Sequence, residues 1–562
     1  MRTDTKPTPL TLCSAVLSGA LVGLGLCAQL SYAAPPRDAQ THEQRLMRLY
    51  GHDPRFTTEG EPIISVGIIG GLESVKFYSK RGFKLYPAAE PDSAVELKSV
   101  SLWELSLSEA RAEAQAELWE LLDERPVSRA SELNALEELW RSRGVKSIVR
   151  FQSGLYLPGG PEESPPALEA RSIMLAHQPH PELDLSAQLK GRRLSTLETL
   201  IKPARGLLSA RGYEAKSARS KLKEPVASLT APDLFWIESR DGRPITVTYE
   251  NAAGKEQSAR YHGELYVVVH ERGLSVVSVL PAERLIEGVV PSELYRSAPM
   301  EALKAQAIAA RGQVVVKLGA RHLADPFMLC ASTHCQAYKG VDQHHKRTSA
   351  AVRETRGEVA VTSGGQPLDS VYSSTCGGHT EAYHEVWGGA PKPNLLGVED
   401  NALGSKSPVS PSSLEAFIKA PTASFCQEPK RTFRWSVRRS ASELLERLLA
   451  EGHVKRDDFG DLSSFEVLKR GVSGRAHAIT YRGTQGSVVV YGDYANRIIL
   501  GLKSGLWVSE ALAEGRWRLS GGGFGHGVGM CQHGAMGMAK GGASAAQILS
   551  HYYGGAEVRT LW

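Results

Sequence analysis

The residues best suited to chemistry fall in four groups. In the first, Glu293 closes the run Gly288-Val289-Val290-Pro291-Ser292 and precedes an Ala-rich stretch at 302–311. β-Branched residues and a proline read as a strand region handing over to a helix, which puts the carboxylate near a helix start. There, backbone N–H groups and the helix dipole favour the charged form. A general acid needs the opposite, a raised pKa, so burial against apolar walls has to win. Glu293 is therefore either a helix-capping carboxylate or an acid catalyst.

The second group is Ser373-Ser374-Thr375-Cys376-Gly377-Gly378-His379-Thr380-Glu381, followed by Glu385-Val386-Trp387-Gly388. Paired glycines let a backbone approach a ligand closely. Hydroxyls, an imidazole, a carboxylate and a Trp are the groups with which a site holds sugar, so Ser374, His379 and Glu381 are candidate binding residues. The bland alternative is a polar turn with a satisfied core histidine. The third group is Gly521-Gly522-Gly523-Phe524-Gly525-His526-Gly527-Val528-Gly529-Met530-Cys531-Gln532-His533. It lacks the Gly-x-Gly-x-x-Gly spacing, and no Lys-Ser/Thr follows, so nucleotide binding is poorly supported. The glycines predict a close-packed loop that leads into a helix after Gln532 and holds His526 and Gln532 on rigid backbone.

The fourth group is His322, Cys330, His334 and Cys335. Two thiolates and two imidazoles satisfy a closed tetrahedral zinc site, although the spacing is not that of a standard finger. In an oxidising compartment Cys330 and Cys335 could instead form a disulfide. A zinc hydrolase is disfavoured, because no His-Glu-x-x-His occurs and the set has no open position. Cys376 is open to pairing with Cys426 or Cys531, and spacing does not choose between them.

The elements that must position these groups read as α+β. Short strands are predicted at 63–69, 75–78 and 145–151. Amphipathic helices are predicted at 105–122 and 132–142. Residues 180–230 are basic and irregular. Beyond 233 the chain returns to strands: 245–249 alternates, and 266–270 and 274–280 flank a turn at 271–273. A helix follows Pro299, with Leu303, Ala307, Ala310 and Val314 on one face. Helices are also predicted at 441–449 and 545–552.

At 562 residues, 42% hydrophobic and 23% charged, the chain is long enough for two or three globular domains. A net charge of +5 permits attraction to an anionic polymer but is too small to argue for nucleic acid. Arg2 and Lys6 precede an apolar run at 10–30, and Ser31-Tyr32-Ala33-Ala34 follows. That pattern predicts an export signal cut near Ala33, with an uncleaved membrane anchor as the alternative. The expected organisation is a signal at 1–33, a linker at 34–60, a smaller α/β N-terminal region at 61–230 and a catalytic domain at 233–562.

Taken together, these motifs resemble the stage II sporulation protein D family, also called the amidase-enhancer family. The resemblance rests on Val289-Val290-Pro291-Ser292-Glu293, the stretch 301–311, Cys330-Ala331-Ser332-Thr333-His334-Cys335-Gln336-Ala337-Tyr338-Lys339-Gly340 and Thr355-Arg356-Gly357. It extends through the stretch 376–381 with Val386-Trp387-Gly388, the stretch 523–540 and His551-Tyr552-Tyr553. It implies a lytic transglycosylase acting on peptidoglycan glycan strands in the periplasm or cell envelope, with Glu293 as the acid. Ser374, His379, Glu381, His526 and Gln532 would support the sugar. A structural zinc on Cys330, His334 and Cys335 with His322, and a cell-wall amidase as partner, are further implications. Arg311 is followed by Gly312-Gln313 rather than the family's usual Thr-Tyr, and Cys531 and His533 stand where Ser and Tyr are frequent.

Overall fold

A computed structural model of the chain describes Leu49, residues 55–87, 100–112 and 205–562, and separate strands between 95 and 202. The last long stretch has short breaks at 271–272, 319–320, 323–324, 406–407 and 420–422. The expected signal, most of the expected linker and the expected helix at 132–142 lie outside the described residues.

Two sheets dominate the N-terminal half, both antiparallel apart from the short strand Leu329–Cys330, which pairs in parallel with Pro62–Leu72. One places Pro62–Leu72 beside Gly273–Pro281, then Glu264–His270, Leu234–Ser239 and Phe83–Pro87. Its central strands are rich in Val and Leu, and Gly273–Pro281 is buried along all but its last residue, as a strand covered on both faces must be. The other sheet runs Ala227–Pro232, Arg205–Tyr213, Leu102–Ala112, Ser74–Tyr78, Ile245–Glu250 and Glu256–Tyr261. Both sheets contain strands from either side of residue 230. The expected hairpin is present, with Val267 opposite Val276.

The segment expected as a helix at 105–122 is extended, as Leu102–Ala112, Gln115–Glu117 and Trp119–Pro126. Its Glu- and Ala-rich composition favours helix, but Leu105 pairs with Val75 on one side and Ala210 on the other. Trp103 and Leu105 are buried two residues apart. Sheet pairing and burial outweigh a propensity preference of a few tenths of a kcal/mol per residue. The strand expected at 145–151 is Ile148–Ser153.

The strand Gly273–Pro281 runs directly into the helix Ala282–Glu293, which packs on the longer helix Met300–Lys317. Leu303, Ala307, Ala310 and Val314 are buried as expected, and one core joins these helices to both sheets. Arg311, fully buried, donates from Nε and Nη2 to the two carboxylate oxygens of Glu283, each at 2.8 Å. The remaining guanidinium N–H groups meet Thr355 Oγ1 and the carbonyls of Val352 and Glu358.

Residues 434–522 hold two three-stranded sheets and the helices Ala441–Ala450 and Asp493–Leu500. They enclose a separate core of Leu444, Leu448, Ile479, Tyr481, Trp507 and Leu519. The chain then rejoins the main core through Val528, Met530 and Ala535. The helices Gln532–Lys540 and Ala545–Tyr552 lie against Met300–Lys317. Among the described residues, no helix is long and apolar enough to cross a membrane.

Candidate functional site

Glu293 is the last residue of its helix, not a residue near a helix start. Val289 and Val290, which suggested strand, are helical because they and Leu285 and Ile286 bury against the core. Pro291 lies in the last turn, where the helix is about to stop, and Leu294 N–H closes it onto Val290 O. The consequence is electrostatic. The negative end of the dipole lies at Glu293, which disfavours a carboxylate and rules out the capping role. Burial raises the Glu293 pKa, and the Ala337 N–H, Lys317 and the Gln532 side chain pull against that rise without cancelling it.

Behind Glu293 lies a chain of neutral hydrogen-bonding groups. Gln532 Nε2 donates to Glu293 O at 3.1 Å and to Gln306 Oε1 at 3.2 Å. Tyr372 Oη donates to Gln336 Oε1 at 3.1 Å, and Gln336 Nε2 donates to Ala310 O. Gln306 is fully buried within the Ala-rich helix. Sequence reasoning missed Gln306, Gln336 and Tyr372. A signal did exist for Gln306, an amide standing among small apolar residues on the buried side of its helix.

The second and third groups are strands of one small assembly. Tyr372–Ser373 pairs in parallel with Met530–Cys531, and bridges join Thr375 to Phe524 and Glu381 to Val528. His526 is half-buried, and its Nδ1 accepts from Val528 N–H at 3.0 Å. Burial first, then Arg497 and Arg475, push its pKa down to about 3, so the ring is neutral. Trp387 stacks on it with ring centroids 4.9 Å apart and on Tyr383 at 4.7 Å, yet stays 48% exposed. Phe524 and Tyr295 are also exposed, the latter edge-on to His533. Ser374 is partly exposed, and its carbonyl accepts from His533. Beside His533 an open depression of ≈ 480 Å³ is lined by Ser424, Phe425, Glu428 and Lys540.

His379 and Glu381 are not brought to this surface, since both are fully buried. The sugar contact expected of them gives way to a polar network. Glu381 Oε2 accepts from Ser473 Oγ at 2.7 Å and lies 3.2 Å from His477 Nε2. Arg475 donates to Ser473 Oγ, His379 O and Cys376 O. Burial pushes Glu381 up, but His477, Arg475 and Ser473 hold its carboxyl below the usual range. Gly527, at φ +79°, passes this guanidinium so closely that a Cβ would lie 2.3 Å from Arg475 Cζ.

The Cys/His group does converge. His334 Nδ1 lies 3.6 Å from Cys330 Sγ, 3.8 Å from Cys335 Sγ and 3.3 Å from His322 Nε2. Metal–ligand bonds of about 2.0–2.3 Å in a tetrahedron give edges of roughly 3.3–3.8 Å, so the donor set fits zinc. The two sulfurs are free thiols. Asp325 Oδ2, 2.6 Å from His322 Nδ1, turns the other ring nitrogen toward the sulfurs, as a carboxylate behind a metal ligand does. This loop continues through Gln336 and Ala337, which touch the Glu293 network.

A half-buried carboxyl with a raised pKa and a neutral amide chain behind it make a site suited to acid–base work. Residues 270–361 match the stage II sporulation protein (SpoIID) family, and residues 381–529 match a domain of unknown function, DUF8618. Over this part of its length the chain is similar to the stage II sporulation protein D and amidase-enhancer family. It is 28% identical over 313 residues to stage II sporulation protein D of Bacillus subtilis, covering 52% of this chain and 78% of that one. It is also 28% identical over 289 residues to the amidase enhancer of Bacillus subtilis, covering 48% of this chain but 39% of that relative's length. An uncharacterized protein of Brachyspira hyodysenteriae is 28% identical over 344 residues, 60% of this chain and 84% of that one.

Proposed function

We propose that this protein is exported to the periplasm or cell envelope and cleaves peptidoglycan glycan strands as a lytic transglycosylase, with Glu293 as its acid and base. The observation that carries the reading is a half-buried carboxyl at the negative end of a helix, raised in pKa by burial and flanked by Gln532. The protonated Glu293 gives its proton to the oxygen bridging N-acetylmuramic acid and N-acetylglucosamine. As that bond breaks, the muramyl 6-hydroxyl attacks the anomeric carbon and its proton passes to the Glu293 carboxylate. The product is a 1,6-anhydro end, and the acid is regenerated. Because the substrate supplies the nucleophile, one carboxyl suffices where ordinary glycosidases need two. Trp387 and Tyr295 offer ring faces to the sugars, preferably on strands stripped of stem peptides.

The four residues His322, Cys330, His334 and Cys335 are assigned to a structural Zn²⁺, which would supply a closed cross-link with no position for water. They would hold the loop whose Ala337 N–H reaches the Glu293 carboxylate. A second reading is a non-catalytic glycan-binding protein that recruits or stimulates a cell-wall amidase. It is favoured by the burial of His379 and Glu381, which leaves fewer polar groups facing a sugar.

Mass spectrometry of denuded glycan strands incubated with wild type and with Glu293→Gln tests both. Anhydro-muramyl ends from wild type alone support the transglycosylase. Reducing ends mean a water nucleophile. Strand binding without cleavage by either protein moves the assignment to the amidase-assisting role.

A further inference from the structure

A second convergence of metal-ligating groups lies apart from the Cys/His group, in the main core. Cys376, Asp400, Cys426 and Cys531 are each fully buried, and their three sulfurs and one carboxylate oxygen lie within 4.8 Å of one another. We propose that these four residues form a structural metal site of the Cys₃Asp type, taking Zn²⁺, that ties three separate loops to the start of the helix Gln532–Lys540.

Three observations argue for an ion rather than packed thiols. The Cys376 and Cys426 sulfurs are 3.6 Å apart, close to the roughly 3.7 Å edge of a tetrahedral zinc–thiolate site and far from a disulfide bond of about 2.05 Å. Cys531 Sγ accepts two backbone N–H groups, from Cys376 at 3.1 Å and Gly534 at 3.3 Å, at a helix N-terminus. Donors aimed at a sulfur in that position favour the thiolate, the form that binds metal. Asp400 is the third. Tyr552 Oη donates to its Oδ1 at 2.5 Å and Cys426 N–H donates to Oδ2 at 2.9 Å. Each of its oxygens keeps a lone pair for a further ligand, and no cation of the protein forms an ion pair with it among the described residues. A metal bound there would compensate the burial of the carboxylate. Tyr552 and the backbone N–H groups then orient the ligands from behind, as groups around metal sites do.

The surroundings admit no looser arrangement. A Cβ on Gly534 would meet Asp400 Oδ1 at 2.4 Å, so this helix position must be glycine for the carboxylate to fit. Asp400 is held by backbone bonds to Gly378 O and from Phe425 N–H. Arg434, bonded to the carbonyls of Gly377, Phe417 and Ile418, lies near enough to Cys376 and Cys426 to offset part of the negative charge of three thiolates and a carboxylate. The site would fix the Cys376-Gly377-Gly378 turn against the Gly-rich loop, and so the wall on which His526 and Gln532 sit.

The test uses the full chain, purified without chelators, with zinc read by elemental analysis and by release to a chromogenic chelator on unfolding. About two zinc ions per wild-type chain, and about one in Cys330→Ser/Cys335→Ser, are expected. Adding Cys426→Ala to that pair should remove the remaining ion. Retention of the ion in a folded triple variant, or no ion in the folded pair variant, overturns the site. Non-reducing peptide mapping of the wild type gives a readout that needs no variant. Cys376, Cys426 and Cys531 all recovered as thiols beside about two zinc ions support it. A disulfide between any two of them overturns it.

Discussion

Gln532 Nε2 donates to the backbone carbonyl of Glu293 at 3.1 Å, joining the end of one helix to the start of another 239 residues away in sequence. The same amide nitrogen meets Gln306, and the Gln532 side chain also lowers the Glu293 pKa. One residue thus tempers the acid and locks the two helices that frame it. Gln532→Leu removes the donor and leaves two buried acceptors unmet, at a cost of about 1–3 kcal/mol. Without the Gln532 side chain beside the carboxyl the Glu293 pKa rises further. The alkaline limb of a kcat/KM profile on glycan strands, which reports loss of the acid's proton, should move to higher pH. An unmoved limb would separate Gln532 from the acid.

Glu293 itself should weaken the fold at neutral pH. Its folded pKa is raised by burial, so its favourable contribution is present below the unfolded carboxyl pKa and is lost as pH rises through the folded value. Glu293→Gln should therefore raise Tm at neutral pH, with the difference shrinking toward pH 4. Thermal scans of both proteins across that range check it, and equal Tm values throughout would contradict the raised pKa.

The Glu381 network has the opposite sign. Its folded pKa is lowered, so its contribution is present above the unfolded carboxyl pKa and is lost as pH falls through the folded value. Glu381→Ala leaves His477 and Arg475 buried without their carboxylate and should cost about 3–5 kcal/mol in chemical denaturation. Glycan binding by the folded fraction should be unaltered, because Glu381 has no exposed atom.

Trp387→Ala should do the reverse, weakening retention on insoluble peptidoglycan severalfold while changing stability by only about 1 kcal/mol. The ring is half exposed, and the substitution takes away only its stacking on Tyr383 and His526. Pull-down and melting measured together distinguish this from a structural role.

Gly527→Ala should destabilise by more than about 1 kcal/mol, since the residue is left-handed at φ +79° and a Cβ would meet the Arg475 guanidinium. Denaturant midpoints check it, and a neutral result would mean that Arg475 can move aside.

Local pattern was enough for much of this protein. The alternation at 245–249, the hairpin at 266–280 and the apolar face of Leu303, Ala307, Ala310 and Val314 are all present in the fold, because period and burial are local properties of a sequence. The motifs also carried the resemblance to the family, and the residue types of the Cys/His group marked four residues that do meet. Tertiary structure decided what depends on partners distant in the chain. Strand pairing made 102–112 extended against its own helix propensity, and packing made Val289 and Val290 helical. That second outcome placed Glu293 at the negative end of a dipole instead of the positive one, reversing the electrostatics read from sequence. Burial withdrew His379 and Glu381 from the surface. The meeting of Cys376, Asp400, Cys426 and Cys531 draws on loops separated by up to 155 residues, a distance over which spacing carries no geometric information.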